Sequence, residues 1–417
     1  MSAPLSWNEL DRLASEPAHT AGETSGLPCS PQAGERLFGQ PSQAVRVTLY
    51  RDHHAWCPYC QKVWLWLEEK RIPYRVRKVA MVCYGEKEAW FRRIVPTGML
   101  PALELDGRLI TESDRILIEL EKAFGPLGAS LQEPEQIRMR GLERDLFRAW
   151  CGWLCQPSRD GAEERARQAG FEEQALAFEA ALSSPAGPFL QGEISGADLV
   201  AAPFLERMNA SLAYYKGYLL RDALPAIHRW FCALEQRSTY RGTQGDFHTH
   251  AHDLPPQMGG CFASGSDLQH ALADRIDQGP WPILGEGLGD PETSESEPTD
   301  AALTALRRTL RHRAPLLQRH GDDGGRFDAA LRAVLSHLVG DGECPPPAGA
   351  AAALRHLRDR ISVPRDMPLH AARRLRRSLE HTARLDPADP TAMPEPIPIR
   401  HRRDQDPAPF LAASSLP

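Results

Sequence analysis

Between residues 46 and 127 the spacing of apolar positions switches repeatedly between strand and helix periods. Arg46 to Tyr50 alternates and carries β-branched residues, which predicts a strand. Val63, Leu65, Trp66 and Leu67, set among Gln61, Lys62, Glu68 and Lys70, predict an amphipathic helix. A second strand is expected over Tyr74 to Val79, then a helix carrying Trp90, Phe91 and Ile94. Val95 to Leu103 leads into a hairpin of Ala102–Leu105 and Leu109–Thr111, with Asp106-Gly107 as its turn signal. Glu112, Ser113 and Asp114 open a further helix, whose apolar positions are Ile116, Leu117, Leu120 and Phe124. Strands alternating with helices over so short a stretch predict a small α/β sheet.

Strand periodicity then stops. Residues 133–240 carry helical spacing, as in Phe204, Leu205, Met208 and Leu212, and predict an all-helical domain. Ser195 is the expected N-cap of one helix, with Asp198 at its third position and Ile194 packing on Leu199. Residues 1–45 read as a leader, mostly irregular through Pro28, Pro31 and Pro41, with a capping box at Ser6 and Glu9 that starts one short helix. Residues 241–261 form a His-rich linker. Its alternating His248, His250 and His252 would share one face of an extended segment and could ligate zinc or nickel, with Cys261 an option as a further ligand; a solvated linker is the expectation, and no metal is assigned. Residues 262–385 form a helical extension, with apolar stripes at Leu303, Leu306 and Leu310, at Phe327, Leu331, Val334 and Leu338, and a last helix near His370 to Thr382. Its arginines (Arg307, Arg308, Arg311, Arg313, Arg373, Arg374, Arg376 and Arg377) are read as exposed faces interleaved with acids. Residues 386–417 are Pro-rich and expected to be disordered.

Composition narrows the class. The chain has 417 residues, a formal charge of −6 and 42% hydrophobic residues, enough for two or three domains with real cores. Its acidic balance gives no general attraction to nucleic acid. Its apolar runs fall short of the roughly 18–20 residues of a membrane span, and residues 1–40 lack an apolar signal core, so a cytoplasmic protein with no membrane or nucleic-acid partner is expected. Nine irregularly spaced cysteines do not make a disulfide scaffold in a chain of this length.

Two of those cysteines form Cys57-Pro58-Tyr59-Cys60, placed where the first strand should pass into a helix. The unpaired N–H groups of a helix start stabilise an anion, so a reactive thiolate is expected at Cys57. Cys60, one turn on, is placed to resolve a mixed disulfide. The bland alternatives are half of a zinc site or two inert thiols; no second C-x-x-C completes a four-sulfur site. Cys151 and Cys155 lie on one helix face and read as core cysteines.

The order C-x-x-C at a helix start, Leu100-Pro101 before a strand, and Glu112-Ser113 at a later helix start resembles the glutathione transferase superfamily over roughly residues 46–240. The resemblance is nearest to members with cysteine at the active position, the omega and dehydroascorbate reductase types, and to glutaredoxins, which carry the C-P-Y-C form. It implies a thioredoxin-like domain over 46–127 and an all-helical transferase domain over 133–240, with 262–385 as an addition. It implies Cys57 as nucleophile, Cys60 as second thiol, and Lys87, Leu100, Pro101, Glu112 and Ser113 as glutathione contacts. Taken singly, Pro101 could be a turn proline, Glu112-Ser113 a helix cap and Lys87 a surface lysine.

In function, the resemblance implies a glutathione-dependent thiol transferase or reductase working through a Cys57–glutathione mixed disulfide. Glutathione is the co-substrate and a small-molecule or protein disulfide the substrate; homodimerisation is left open. A redox sensor or adaptor that keeps the fold without the activity, and a conjugating or isomerising transferase at the same site, are the alternatives.

Overall fold

A computed structural model describes residues 3–15, 31–184, 186–283, 289–320, 325–340 and 342–409. In chain order its elements are α1 (Trp7–Ala14), β1 (Glu35–Arg36), β2 (Val47–Asp52), α2 (Pro58–Glu69), β3 (Tyr74–Val79), α3 (Ala89–Ile94), β4 (Ala102–Leu105), β5 (Arg108–Thr111) and α4 (Ser113–Phe124). The helices α5 (Pro134–Leu154), α6 (Gly161–Ser183), α7 (Gly196–Lys216), α8 (Leu220–Ala223), α9 (Pro225–Glu235), α10 (Ser238–Arg241), α11 (Phe247–Met258) and α12 (Asp267–Gln278) come next. Beyond these lie α13 (Ala301–Arg311), α14 (Arg313–Arg319), α15 (Arg326–Val339), α16 (Ala351–Arg360) and α17 (Leu369–Arg384). Pro28, part of the expected irregular leader, lies outside the described residues, as do 410–417.

The sheet runs β1-β3-β2-β4-β5. β2 and β3 are parallel, as a strand–helix–strand crossover requires, and β4 and β5 add antiparallel. Asp106 and Gly107 both have positive φ (51° and 79°), the conformation a two-residue hairpin turn demands. This mixed sheet with flanking helices is the thioredoxin-like fold, followed by an all-helical region and additional helices.

α2 differs from expectation: it is not amphipathic, being buried from Cys60 through Glu68. The sheet covers one side and α4, α7 and α10 the other, so its polar residues find partners indoors. Lys62 pairs with Asp114 at 2.6 Å, Glu68 with Arg36 at 3.1 Å, and the Gln61 amide donates to Glu206 at 3.2 Å.

The extension is a second core. Ala305, Leu306, Phe327, Leu331, Val334, Leu354, Leu375 and Leu379 cluster there, and Leu10 of α1 joins them. The capping box of α1 is present, and Trp7 donates its indole N–H to Asp328 at 2.9 Å, so the leader helix belongs to the extension. The α17 arginines are not all an exposed face. Arg376 is buried against Asp246, and Arg373 against Asp290 and Glu292, because a charge removed from water requires a counter-charge.

Two further expectations are corrected. The His-rich segment is helix α11 rather than solvated linker: Asp246 caps it by accepting from the Thr249 N–H at 2.9 Å, and His248 and His250 are buried. Residues 386–409 are ordered rather than disordered. Arg355 donates to the carbonyls of Pro390 and Ala392 at 2.8 and 2.7 Å, and Arg402 is buried, so fixed polar partners replace the apolar content this segment lacks. Among the described residues no helix is long and apolar enough to cross a membrane.

Candidate thiol site

Cys57 ends the β2–α2 loop as the N-cap residue of α2, with extended backbone (φ −76°, ψ 115°) and Pro58 in the first turn. Proline suits that position because the first helical N–H has no intrahelical partner to lose. Cys60 lies one turn in, its thiol in hydrogen-bond contact with Cys57. Exposure is 6% at Cys57 and 1% at Cys60. Burial, followed by the hydrogen bond with Cys57, pushes the Cys60 thiol well above its ordinary range, so it stays protonated.

Sheet register gathers the other expected residues. Ala102 lies opposite both Tyr50 on β2 and Thr111 on β5. Pro101 therefore sits beside the end of β2 that feeds the Cys57 loop, and Glu112 beside Pro101. The Leu100-Pro101 peptide is cis. Glu112 adopts φ 67°, ψ 113°, a sparsely populated region for a residue with a Cβ, while Ser113 is buried as the first residue of α4. Such strain clusters at ligand clamps, and the N–H groups of a helix start suit a carboxylate. Lys87 is not a solvated surface lysine. Its Nζ donates to the Gly98 carbonyl at 2.5 Å; burial lowers its pKa, and the thiols of Cys60 and Cys57 are near enough to act on it. Tyr50 is core, its hydroxyl 3.2 Å from Glu104.

Several residues that position the thiols gave no local signal. The Trp56 N–H donates to Asp52 Oδ2 at 2.7 Å. Arg207 of α7, fully buried, donates to the Trp56 carbonyl and to Gln61 Oε1, both at 2.8 Å. Ser362 Oγ of the extension accepts from the Trp56 indole at 2.7 Å, and in the segment that follows it the Gln405 carbonyl lies 2.8 Å from His54 Nε2. Tyr59, inside the motif and half exposed, packs edge-on against Phe204 with ring centroids 5.4 Å apart. Arg144 lies over Phe147 and Phe204 at 4.3 and 4.5 Å, so α2, α5 and α7 join in an aromatic, cationic wall. Cys151 and Cys155 are partly buried and gain a neighbour in Cys261; the hydrogen bond with Cys155, then burial, pushes the Cys151 thiol up.

A thiol pair opens the first helix of the thioredoxin-like domain, and a cis-proline and a positive-φ residue lie at the same sheet end. Two family models match the chain: the glutathione S-transferase N-terminal domain over residues 56–123 and the glutathione S-transferase C-terminal domain over 160–231. Over 190 residues the chain is 31% identical to Glutathione S-transferase DHAR2 of Arabidopsis thaliana, an alignment covering 45% of this chain and 84% of the relative. Probable glutathione S-transferase DHAR1, cytosolic, of Oryza sativa subsp. japonica shares 31% identity, again over 45% of this chain and 84% of the relative. The crystal structure of Chlamydomonas reinhardtii dehydroascorbate reductase aligns at 25% identity and a TM-score of 0.40, over 48% of this chain and 93% of that one. The chain belongs to the glutathione S-transferase family. Neither family model reaches past residue 231, so the second core lies outside both.

Proposed function

We propose that the protein is a glutathione-dependent thiol transferase whose nucleophile is Cys57. The observation that carries this reading is the placement of Cys57 at the start of α2, at the sheet end that also holds cis-Leu100-Pro101 and the strained Glu112. In the first step the Cys57 thiolate attacks one sulfur of a glutathione-containing disulfide. The old S–S bond breaks, the Cys57–glutathione disulfide forms, and the other thiol leaves as thiolate and takes a proton. A second glutathione thiolate then attacks the glutathionyl sulfur, giving glutathione disulfide and restoring Cys57. Cys60 is the poorer resolving group, because burial keeps it protonated. The backbone groups flanking Pro101 and the start of α4 at Ser113 would hold the tripeptide, and Lys87 would face the same cleft; the gain in rate is mainly positional.

Turnover of hydroxyethyl disulfide with glutathione tests the reading, with dehydroascorbate as a second oxidant drawn from the relatives' class. Cys57→Ser should abolish both activities, and Cys60→Ser should keep most of them. Full activity in Cys57→Ser refutes the mechanism. A folded wild type that turns over neither substrate and does not bind glutathione moves the reading to a redox adaptor.

A further inference from the structure

The folding of the His-rich segment into α11 changes which histidines stand together. His248 and His252 are one turn apart on one face, their rings 4.8 Å between centroids, while His250 points elsewhere, to Glu206 at 2.7 Å. α12 packs on α11 and brings in a carboxylate: Asp277 Oδ1 lies 2.7 Å from His252 Nε2. One ligand-type atom from each of His248, His252 and Asp277 lies within 4.8 Å of the other two. We propose that these three residues form a binding site for a divalent transition-metal ion of the zinc class, distinct from the thiol site.

The chemistry fits in three respects. Imidazole and carboxylate are a zinc-type donor set, and two histidines at i, i+4 on a helix are a recurring chelating pair. Bonds of about 2.1 Å in a tetrahedron put donors about 3.4 Å apart, so adjusting the three side chains by about an ångström closes the set. Asp277 is also oriented by a partner that is not itself a ligand. The Tyr214 hydroxyl donates to Asp277 Oδ2 at 2.8 Å, leaving Oδ1 for the ion, the kind of outer contact that fixes a ligating carboxylate. The partial exposure of Asp277 and His252 gives the ion a path in and leaves a position for water.

The cationic side chains that act on the site are each paired with a carboxylate. The guanidiniums that act electrostatically on His248 are Arg376, Arg358 and Arg402. Arg376 pairs with Asp246, Arg358 with Glu380 and Asp359, and Arg402 with Asp404 at 3.1 Å. Asp274 adds negative charge on the side of Tyr214. The competing reading is that His252 and Asp277 are only an ion pair stapling α11 to α12. A staple does not need His248, whereas a chelate does.

The discriminating experiment is a Co²⁺ titration of the reduced, chelator-treated full chain, followed by visible absorption and calorimetry, with Zn²⁺ as competitor. The expected result is one Co²⁺ per chain with d–d bands, no sulfur-to-cobalt charge transfer from that site, and displacement by Zn²⁺. His248→Gln and Asp277→Asn should each weaken binding at least tenfold, and Tyr214→Phe about tenfold through loss of orientation. Asp277 is partly exposed, so Asp277→Asn keeps the test open if the buried His248→Gln fails to fold. Binding seen only with thiolate charge transfer, or affinity unchanged in both His248→Gln and Asp277→Asn, would overturn the proposal.

Discussion

The bond between Trp56 and Ser362 ties the extension to the residue before Cys57, and its removal can be read locally. The indole N–H and the serine hydroxyl are 2.7 Å apart, and both residues are 2% exposed. Ser362→Ala leaves the indole donor buried without an acceptor while the loop is closed, whereas in an opened loop the same donor meets water. The imbalance costs about 1–3 kcal/mol. At about 1.4 kcal/mol per tenfold, the open population of the loop should rise by roughly 5- to 150-fold. Hydrogen exchange at the Trp56 amide, which is held by Asp52 at 2.7 Å, reads this opening without requiring two-state unfolding of the whole chain. Trp56→Phe removes the donor itself, so adding Ser362→Ala to it should change exchange little, and the cycle isolates the pair. A change below about twofold in Ser362→Ala, or equal effects of that substitution with and without the indole, would show that the extension does not hold the thiol loop through this bond.

Two other outcomes are expected. Glu112→Gly removes strain at φ 67°, so it should raise stability by about 1 kcal/mol while raising the KM for glutathione, measured by thermal unfolding and by steady-state kinetics. Stability follows pH through the buried Glu206–His250 contact: burial and Arg207 oppose protonation of His250, but Asp253 and Glu206 outweigh them and hold its pKa above the ordinary value, while burial opposes ionisation of Glu206, but His250 and Arg207 hold its pKa below. His250 therefore contributes fully below about pH 6.5 and loses that contribution as pH rises through its raised folded pKa, whereas the Glu206 contribution is lost as pH falls through its lowered one; thermal scans should show His250→Gln flattening the alkaline limb, and an unchanged limb would refute the assignment.

The sequence was most legible where structure is local. Tyr74–Val79 forms the strand expected there, Asp106-Gly107 forms the hairpin turn, and the Ser6–Glu9 and Ser195–Asp198 boxes cap their helices. The thiol pair is legible for the same reason, since a spacing of three residues and a helix start are local facts. Misreadings arose where tertiary partners decide. Lys62, Gln61 and Glu68 gave α2 a polar face in sequence, but Asp114, Glu206 and Arg36 bring that face indoors. His248, His250 and His252 alternate as a strand would, yet Asp246 caps a helix there, a signal present in the sequence and outweighed by the histidine spacing.

The same division separates the chemistry of the site from its control. Cys57, Cys60, Pro101 and Ser113 lie within a stretch of fewer than 60 residues, and the sheet register of that stretch brings them to one end. Arg207, Ser362 and Gln405 hold the same loop from 151, 306 and 351 residues away along the chain. No periodicity links residues so distant, so the extension could be read only as helices of unassigned role. Folded, it packs α1 on its own core through Leu10 and bonds to Trp56 through Ser362, while Gln405 in the segment that follows it bonds to His54. A transferase domain with a free thiol loop would set the mobility of that loop by local contacts alone. Here part of that restraint is supplied by Ser362 and Gln405, from a part of the chain that neither family model covers.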